Sequence, residues 1–428
     1  MVVITGAGRG GLPTSGATID LALPTGFGTP TIAKIVVAGT NADAAAQSTP
    51  TMSVGWMDGT RQRVYGFGVE SAASGRENGW NFASRNGVVA IANQAGGNDG
   101  LFSFNSFGTD KVTLNVDTAP SKAYKYTLWA ARGDISVHVN DLGSILNVGG
   151  RTLAVTAPGF TPDWIEFFGS RAYSTSPTWA APGKFTCGWA VRLPTIVNVG
   201  ATWCNIDNQL TTDVEAVVHS AYAAADIDAT FGYQYQQFVT SFDANGFTMK
   251  SDDTNNATVG LGYAAIKASG LNFWCGIVDT PTSTGVTNFT APGMDGQSLF
   301  MLPSEVTSID TLVGTAAGTE ASARNIGHGV AARFGATTTD GCASVREQDH
   351  KTSPYVARAV SDSKMAHLDD DGGTDTLVAD FSSWLGRGFA LNFTTVQGSA
   401  CKWPATVIGN GKSYVPVPFR MRNFPRSF

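Results

Sequence analysis

The strongest constraint in this sequence is a phrase that occurs three times. An apolar stretch, a Pro/Gly turn and a strongly apolar run recur in LALPTGFGTPTIAKIVV (21–37), VTAPGFTPDWIEFF (155–168) and FTAPGMDGQSLFML (289–302). The residues that follow the turn lie at spacings of 133 and 134: Phe27, Phe160 and Met294. A repeat of this length is too long for a solenoid unit and has the size of a whole domain.

Two further markers keep the same order and nearly the same period. One is a glycine at spacings of 133 and 141: Gly55, Gly188 and Gly329. The other lies late in each copy, at spacings of 135 and 142: Val112, Phe247 and Phe389. We therefore predict three tandem domains at 17–149, 150–284 and 285–411. An N-terminal arm at 1–16 and a C-terminal extended arm at 412–428 would flank them.

Local sequence signals within each copy are those of β-structure. Charged residues make up 14% of the chain, against roughly 25% in an average soluble protein, and 50 of 428 residues are glycine. Short apolar runs such as TIAKIVV and DWIEFF suit central strands buried on both faces, and DANG before FTMK carries a strong hairpin signal. The predicted fold is all-β, with three antiparallel, jelly-roll-like β-sandwiches of seven to nine strands each. The segment 214–226 alone has helical composition.

Several classes of function are excluded by bulk properties. A net charge of -6 and a pI of 5.4 give no footprint for nucleic acid. The sequence contains no run of 18 apolar residues, so no membrane span is predicted. The N-terminus does not have the pattern of a secretory signal. The five cysteines are odd in number and form no CxxC pair, so we expect buried free thiols.

Catalytic and cofactor motifs are weak in this sequence. GAGRGG (6–11) matches a dinucleotide fingerprint, but Pro13 and Gly16 follow where that fingerprint needs a helix. Neither GxSxG nor HExxH occurs, and the histidines show no metal-ligand spacing. We therefore predict a protein that is not an enzyme and needs no cofactor.

Three groups of residues remain as candidate contact sites. HLDDDGGTD (367–375) reads as a solvated acidic turn, with a calcium site as the alternative. The candidate calcium ligands would be Asp369, Asp371 and Asp375. Two tryptophans in polar loop contexts are possible glycan contacts, Trp80 and Trp179. Trp56 and Trp189 share one repeat position with Val330, which favours core packing.

The C-terminal segment KSYVPVPFRMRNFPRSF alternates apolar and polar residues and has no helical period. Aromatic and arginine side chains are enriched at protein interfaces, so an extended arm that docks on a neighbouring subunit is favoured over a frayed end. The residues of this interaction arm would be Phe419, Arg420, Arg422, Phe424 and Arg426.

The repeat resembles one found in virion structural proteins of tailed bacteriophages. The second copy carries the resemblance best, in GFTPD (159–163), SFDANGFT (241–248) and AAIKASG (264–270). The first copy has FGTDKV in place of the second motif, and the third has MDGQ in place of the first. The resemblance covers nearly the whole chain and implies a place in a phage particle. It brings no catalytic residues.

These observations predict a structural component of a virion, in the tail, neck or fibre or as a head decoration. The partners would be other virion proteins and further copies of the chain, with neither nucleic acid nor membrane. The alternative is an adhesin on the same particle that binds a carbohydrate or receptor, with a host surface glycan as its partner.

Overall fold

The computed structural model describes most of the chain. The described residues are 3–42, 51–69, 79–93, 96–143, 150–169, 173–175, 177–180, 183–192, 195–205, 214–227, 233–252, 260–311, 323–348, 358–370 and 374–410. They form β-strands and connecting segments, without an α-helix among them, and so confirm the predicted all-β class.

The strands fall into three successive sets of ten. The first set, β1 to β10, comprises Ile4–Gly11, Thr18–Ala22, Ile32–Ala38, Thr51–Met57, Gln62–Val69, Gly79–Ser84, Val89–Ala92, Asn98–Gly108, Lys111–Thr118 and Lys125–Arg132. The second, β11 to β20, comprises Ile135–Asp141, Thr152–Val155, Trp164–Phe168, Gly183–Val191, Val197–Asn205, Val214–His219, Ala224–Ile227, Tyr233–Asp243, Gly246–Ser251 and Gly262–Ala268. The third, β21 to β30, comprises Leu271–Asp279, Gly285–Phe289, Asp295–Met301, Ala323–Phe334, Thr337–Gln348, Arg358–Asp362, Ala366–Asp369, Asp375–Leu385, Gly388–Thr395 and Lys402–Asn410.

Each set forms one sandwich of a six-stranded and a four-stranded antiparallel sheet. In the first unit the orders are β1-β10-β3-β4-β5-β6 and β2-β9-β8-β7. The second and third units repeat these orders strand for strand. Tandem β-sandwiches are therefore confirmed, with ten strands in each unit where seven to nine were expected.

The strand pairing confirms two of the repeat markers. Gly55, Gly188 and Gly329 stand opposite equivalent residues of the central strands β3, β13 and β23. Val112, Phe247 and Phe389 occupy equivalent places on β9, β19 and β29, and all three are buried.

The boundaries of the units differ from the predicted ones. Residues 1–16 were expected to form an arm, but β1 pairs with β10 along its whole length as the first strand of unit 1. Its glycines permit close packing: a Cβ on Gly8 would lie 2.1 Å from the carbonyl oxygen of Ala22. Because β11 and β21 open their units in the same way, the joins fall at 133–134 and 269–270.

The helical composition of 214–226 does not produce a helix. This segment contains β16 and β17 instead. Its alanines lie where the two sheets of unit 2 approach each other: a Cβ on Gly188 would be 2.4 Å from the carbonyl oxygen of Ala223. The alanines of this segment therefore indicate close packing of the two sheets, and this tertiary packing overrides their helix propensity.

The three units close into a ring around one shared core. The first strand of each unit contacts the fifth strand of another: β11 contacts β5, β21 contacts β15, and β1 contacts β25. Each sandwich has its own apolar cluster, and a further cluster joins residues of all three units, among them Trp56, Trp164 and Phe300. The arrangement is that of a trimer with approximate threefold symmetry, built from a single chain.

In units 1 and 2 the last strand of the six-stranded sheet, β6 or β16, is covered at its free edge by the next unit along the chain. Ser174 and Ala180 of unit 2 form bridges to Ser84 and Asn81 on the edge of unit 1. Ile309 of unit 3 forms a bridge to Val218 of unit 2. Covered edges do not template pairing with other chains, so the ring protects strands that separate sandwiches would expose.

Candidate functional site: a buried ionic cluster where the three units meet

The centre of the shared core carries charge at a position that is equivalent in all three units. Lys34 on β3 stands opposite Trp56, Glu166 on β13 opposite Trp189, and Phe300 on β23 opposite Val330. These three pairs occupy the same register position. The ring therefore brings one lysine, one glutamate and one phenylalanine together.

Lys34 and Glu166 form a close ion pair across the join of units 1 and 2. The Lys34 ammonium donates to both carboxylate oxygens of Glu166, at 2.6 and 2.8 Å. It also contacts Nε2 of His328, from unit 3, at 2.5 Å. The side chains of Lys34 and Glu166 are both 0% exposed. A buried pair of this kind survives only where further hydrogen bonds satisfy the remaining polar atoms.

Two tryptophans supply those hydrogen bonds to the carboxylate. The indole N–H of Trp56 donates to one oxygen of Glu166 at 3.0 Å, and that of Trp189 donates to the other at 2.9 Å. The Lys34 nitrogen lies 4.8 Å from the ring centroid of Phe300 and 5.2 Å from that of Trp56. Aromatic faces attract a desolvated cation, so the cage stabilises the ammonium.

His328 is held neutral in this cluster. Burial lowers its pKa well below the ordinary range, and the neighbouring charge of Lys34 lowers the pKa further. A neutral ring can carry its proton on Nδ1 and leave Nε2 free to accept from the ammonium. The 2.5 Å contact between His328 and Lys34 fits this tautomer.

The cluster also contains three types of metal ligand. Single ligand atoms of Glu166, Cys187 and His328 lie within 4.8 Å of one another. However, the Lys34 ammonium already occupies the position between the Glu166 oxygens and His328 Nε2. Burial, reinforced by the charge of Glu166, raises the pKa of the Cys187 thiol and keeps it protonated. The residues therefore fit an internal cation and do not fit a metal ion.

A buried carboxylate of unit 2 also binds two arginines of unit 1 across the contact between these units. Asp141 of unit 2 accepts from Nε of Arg63 at 2.7 Å and from Nε and Nη2 of Arg85 at 2.9 Å. Its side chain is 3% exposed. Burial alone would raise the pKa of Asp141, but the hydrogen bonds and charges of Arg85 and Arg63 together outweigh it and lower the pKa.

We expect Asp141→Asn to lower the free energy of unfolding by about 3 kcal/mol at pH 7, because it leaves buried arginine charge without its partner. A lowered pKa in the folded state gives stability that is present above the unfolded pKa and is lost as pH falls through the folded value. The difference between variant and parent should therefore shrink below pH 4, as followed by urea unfolding. Asp20→Asn, which breaks the exposed pair with Lys111, is the control and should be silent.

The acidic turn at 367–375, predicted to be solvated with a calcium site as the alternative, is partly packed within the protein. Asp369 is buried, and its backbone oxygen accepts from Asn325 and Arg346. Asp375 contacts Nε2 of His367 at 2.9 Å. The one group of potential ligands found among the described residues does not include either aspartate, and Asp371 lies outside those residues.

His367 lies between two carboxylates. Its Nδ1 is 2.8 Å from Asp362 and its Nε2 is 2.9 Å from Asp375. With both carboxylates ionised, both contacts are hydrogen bonds only if both ring nitrogens carry protons, so this geometry favours the positively charged ring. Burial alone would lower the pKa of His367, but the hydrogen bonds from Asp362 and Asp375 outweigh it and raise the pKa.

We expect the stability contributed by this clamp, His367 between Asp362 and Asp375, to be lost as pH rises from 6 to 9. A raised folded pKa gives stability that is fully present below the unfolded value, near 6.5, and is lost as pH passes the folded value. The loss should be on the order of 1 kcal/mol in urea unfolding, measured as the change with pH in the difference in unfolding free energy between the protein and His367→Gln. Burial lowers the pKa values of His138 and His219 to about 4, so these residues bind protons in this window only when the chain is unfolded, and they make both proteins more stable as pH rises. The difference between the two proteins removes their contribution. An equal slope in the variant would show that the clamp is not the cause.

The two loop tryptophans are only partly exposed. The Trp179 ring packs 5.1 Å from that of Phe82, and its indole N–H donates to Asn98 at 2.7 Å. Trp179 belongs to unit 2 and Phe82 to unit 1, so this tryptophan fastens one unit to the other. Trp80 lies on β6, and a Cβ on Gly96 would be 2.7 Å from its ring. By contrast Trp56 and Trp189 are fully buried, as predicted.

The interaction arm, Phe419 to Arg426, lies outside the described residues. The five cysteines are free and buried, which confirms that prediction. No helix among the described residues is long and apolar enough to cross a membrane.

Comparison with known families, with curated proteins and with solved structures finds no match for this chain.

Sequence reasoning missed the ionic cluster, although a signal was present. Lys34 is the single charge inside TIAKIVV, and Glu166 lies among the apolar residues of DWIEFF; both runs were predicted to be buried on both faces. They occupy the same place in their repeats, 132 residues apart. A charge at a strand position predicted to be buried needs a partner, and its repeat equivalent was the natural candidate.

Proposed function

We propose that this protein is a structural component of a bacteriophage virion, in which a single chain takes the place of a trimer. The observation that carries the proposal is the closed ring of three equivalent sandwiches around one shared core. The resemblance of the repeat to phage structural proteins supports the virion assignment. The part would be structural and non-catalytic, in the tail, neck or fibre or as a head decoration.

The physical advantage of such a chain is its fixed stoichiometry. Separate sandwiches must lose translational and rotational freedom to associate, and joined sandwiches lose far less. The joins here are two residues long, at 133–134 and 269–270, so each unit stays beside the next. A single-chain trimer can fill a threefold position in a particle and still present three different surfaces.

The alternative, a glycan-binding adhesin, gains no support from Trp179. Its ring and its indole N–H are both engaged within the protein. We therefore restrict the proposal to assembly, with other virion proteins and further copies of the chain as partners.

The test is a count of this chain in purified particles from the source. Quantitative mass spectrometry against a major capsid protein gives the copy number, and imaging at moderate resolution gives the site. We expect one chain at each occupied threefold site, whereas three chains per site would contradict the single-chain trimer. Complete absence from particles would overturn the virion assignment itself.

A further inference from the structure

We propose that Lys34 and Glu166 become joined by an amide bond once the chain has folded. The bond would link the Nζ of one residue to the Cδ of the other and tie unit 1 covalently to unit 2. The inference concerns the chemistry of the buried cluster and does not depend on the virion assignment.

The reacting groups are held in contact and away from water. The amine nitrogen lies 2.6 and 2.8 Å from the two carboxylate oxygens, and neither side chain is exposed. Holding two reactants in contact can replace very large concentrations of a free reactant. The rings of Trp56 and Phe300 lie 5.2 and 4.8 Å from the Lys34 nitrogen, and Trp129 packs against both rings, so the reacting atoms lie in a mostly apolar surrounding.

The cluster also supplies the groups that condensation requires. His328 Nε2 lies 2.5 Å from the amine, where it can take a proton from nitrogen. The indole N–H groups of Trp56 and Trp189 each donate to one carboxyl oxygen, at 3.0 and 2.9 Å. Donors placed in this way stabilise the negative oxygen of a tetrahedral intermediate.

The balance of the step is simple. The ammonium passes one proton to the carboxylate, which gives an amine and a carboxylic acid. The amine nitrogen attacks Cδ, the N–C bond forms, and His328 carries a proton from nitrogen to the leaving hydroxyl. One C–O bond breaks and one water leaves, with no oxidant, reductant or activating nucleotide. Because both side chains are buried away from solvent, the reverse hydrolysis is suppressed.

The first experiment is mass spectrometry of the full chain, unfolded in denaturant after it has been folded at neutral pH. We expect a mass lower than the sequence mass by one water. The same loss can arise at Asp–Gly steps such as Asp58–Gly59, so a protease digest must locate it. The expected product is one branched peptide that joins the segment around Lys34 to the segment around Glu166, with no cleavage after Lys34.

The same digest contains an internal control. Lys402 and Asp279 are also in contact, at 2.9 Å, but their side chains are partly exposed and have no such base and donors. Their peptides should be recovered unlinked. Recovery of unlinked Lys34 and Glu166 peptides from protein that has been kept folded for days would overturn the proposal, without any need for a variant.

Two variants separate chemistry from structure. Lys34→Met removes the amine, so it should show the full mass and no branched peptide. His328→Gln keeps both reacting groups and a polar neighbour, and the fraction joined at a fixed time after refolding should fall at least tenfold. Folding of each variant is checked by circular dichroism. A linked fraction that is unchanged in folded His328→Gln would refute the role given to His328, and a water loss that persists in Lys34→Met would place it elsewhere.

Discussion

A circular permutant that begins at Asp134 should fold as well as the natural chain. It would run from Asp134 to Asn410, continue through a Ser-Gly join into Ile4, and end at Gly133. The closed ring is the reason, because β30 and β1 are related to each other in the same way as β20 and β21. In the natural chain Ser269–Gly270 joins β20 to β21. Cutting one short join and making an equivalent one leaves every sheet intact.

The measurement is the free energy of unfolding, together with the molecular mass in solution. The matched control is residues 4–410 in natural order, and the two chains should be monomers that differ by less than about 2 kcal/mol. A second permutant, cut between Gly188 and Trp189 in the middle of β14, should not fold, because it divides an interior strand of a six-stranded sheet. If the Asp134 permutant is unfolded while residues 4–410 fold, the third unit does not close onto the first as described.

The repeat, the β class and the buried tryptophans could be predicted because each has a local signature. Phe27 and its equivalents follow a turn, and TIAKIVV is apolar at the positions that prove buried on β3. The joins could not be found in this way. The strand ITGAGRGG reads as flexible because glycine is rare in strands, and its pairing with β10 depends on residues more than a hundred positions away.

The ionic cluster could not be predicted from the sequence, for a related reason. Lys34 is recognisable as an unusual residue, but its neighbours come from three units. Only closure of the ring places Glu166 and His328 beside it. His367 is similar: the sequence shows an acidic turn, whereas the clamp depends on Asp362 and Asp375, which lie on different strands of two sheets.

The glycines at the second repeat marker should be among the least replaceable residues of the chain. A Cβ on Gly55 would lie 1.8 Å from the carbonyl oxygen of Val88, and one on Gly329 would lie 2.1 Å from that of Met365. The equivalent distance at Gly188 is 2.4 Å. In each unit the oxygen belongs to the residue just before the edge strand of the four-stranded sheet, so the two sheets touch at this point.

Replacing any one of these glycines by alanine should lower the free energy of unfolding by about 3 kcal/mol or more. The clash is with backbone, which cannot rotate aside as a side chain can, so the sheets of that unit must separate and their cores must lose contact. Gly386→Ala is the matched control, since no atom lies within 4 Å of its added methyl group, and it should change stability by less than about 0.5 kcal/mol. Urea unfolding of the four variants decides the matter. If the marker variants unfold like the control, the sheets are not in contact there, and the glycine marks the repeat for some reason other than packing.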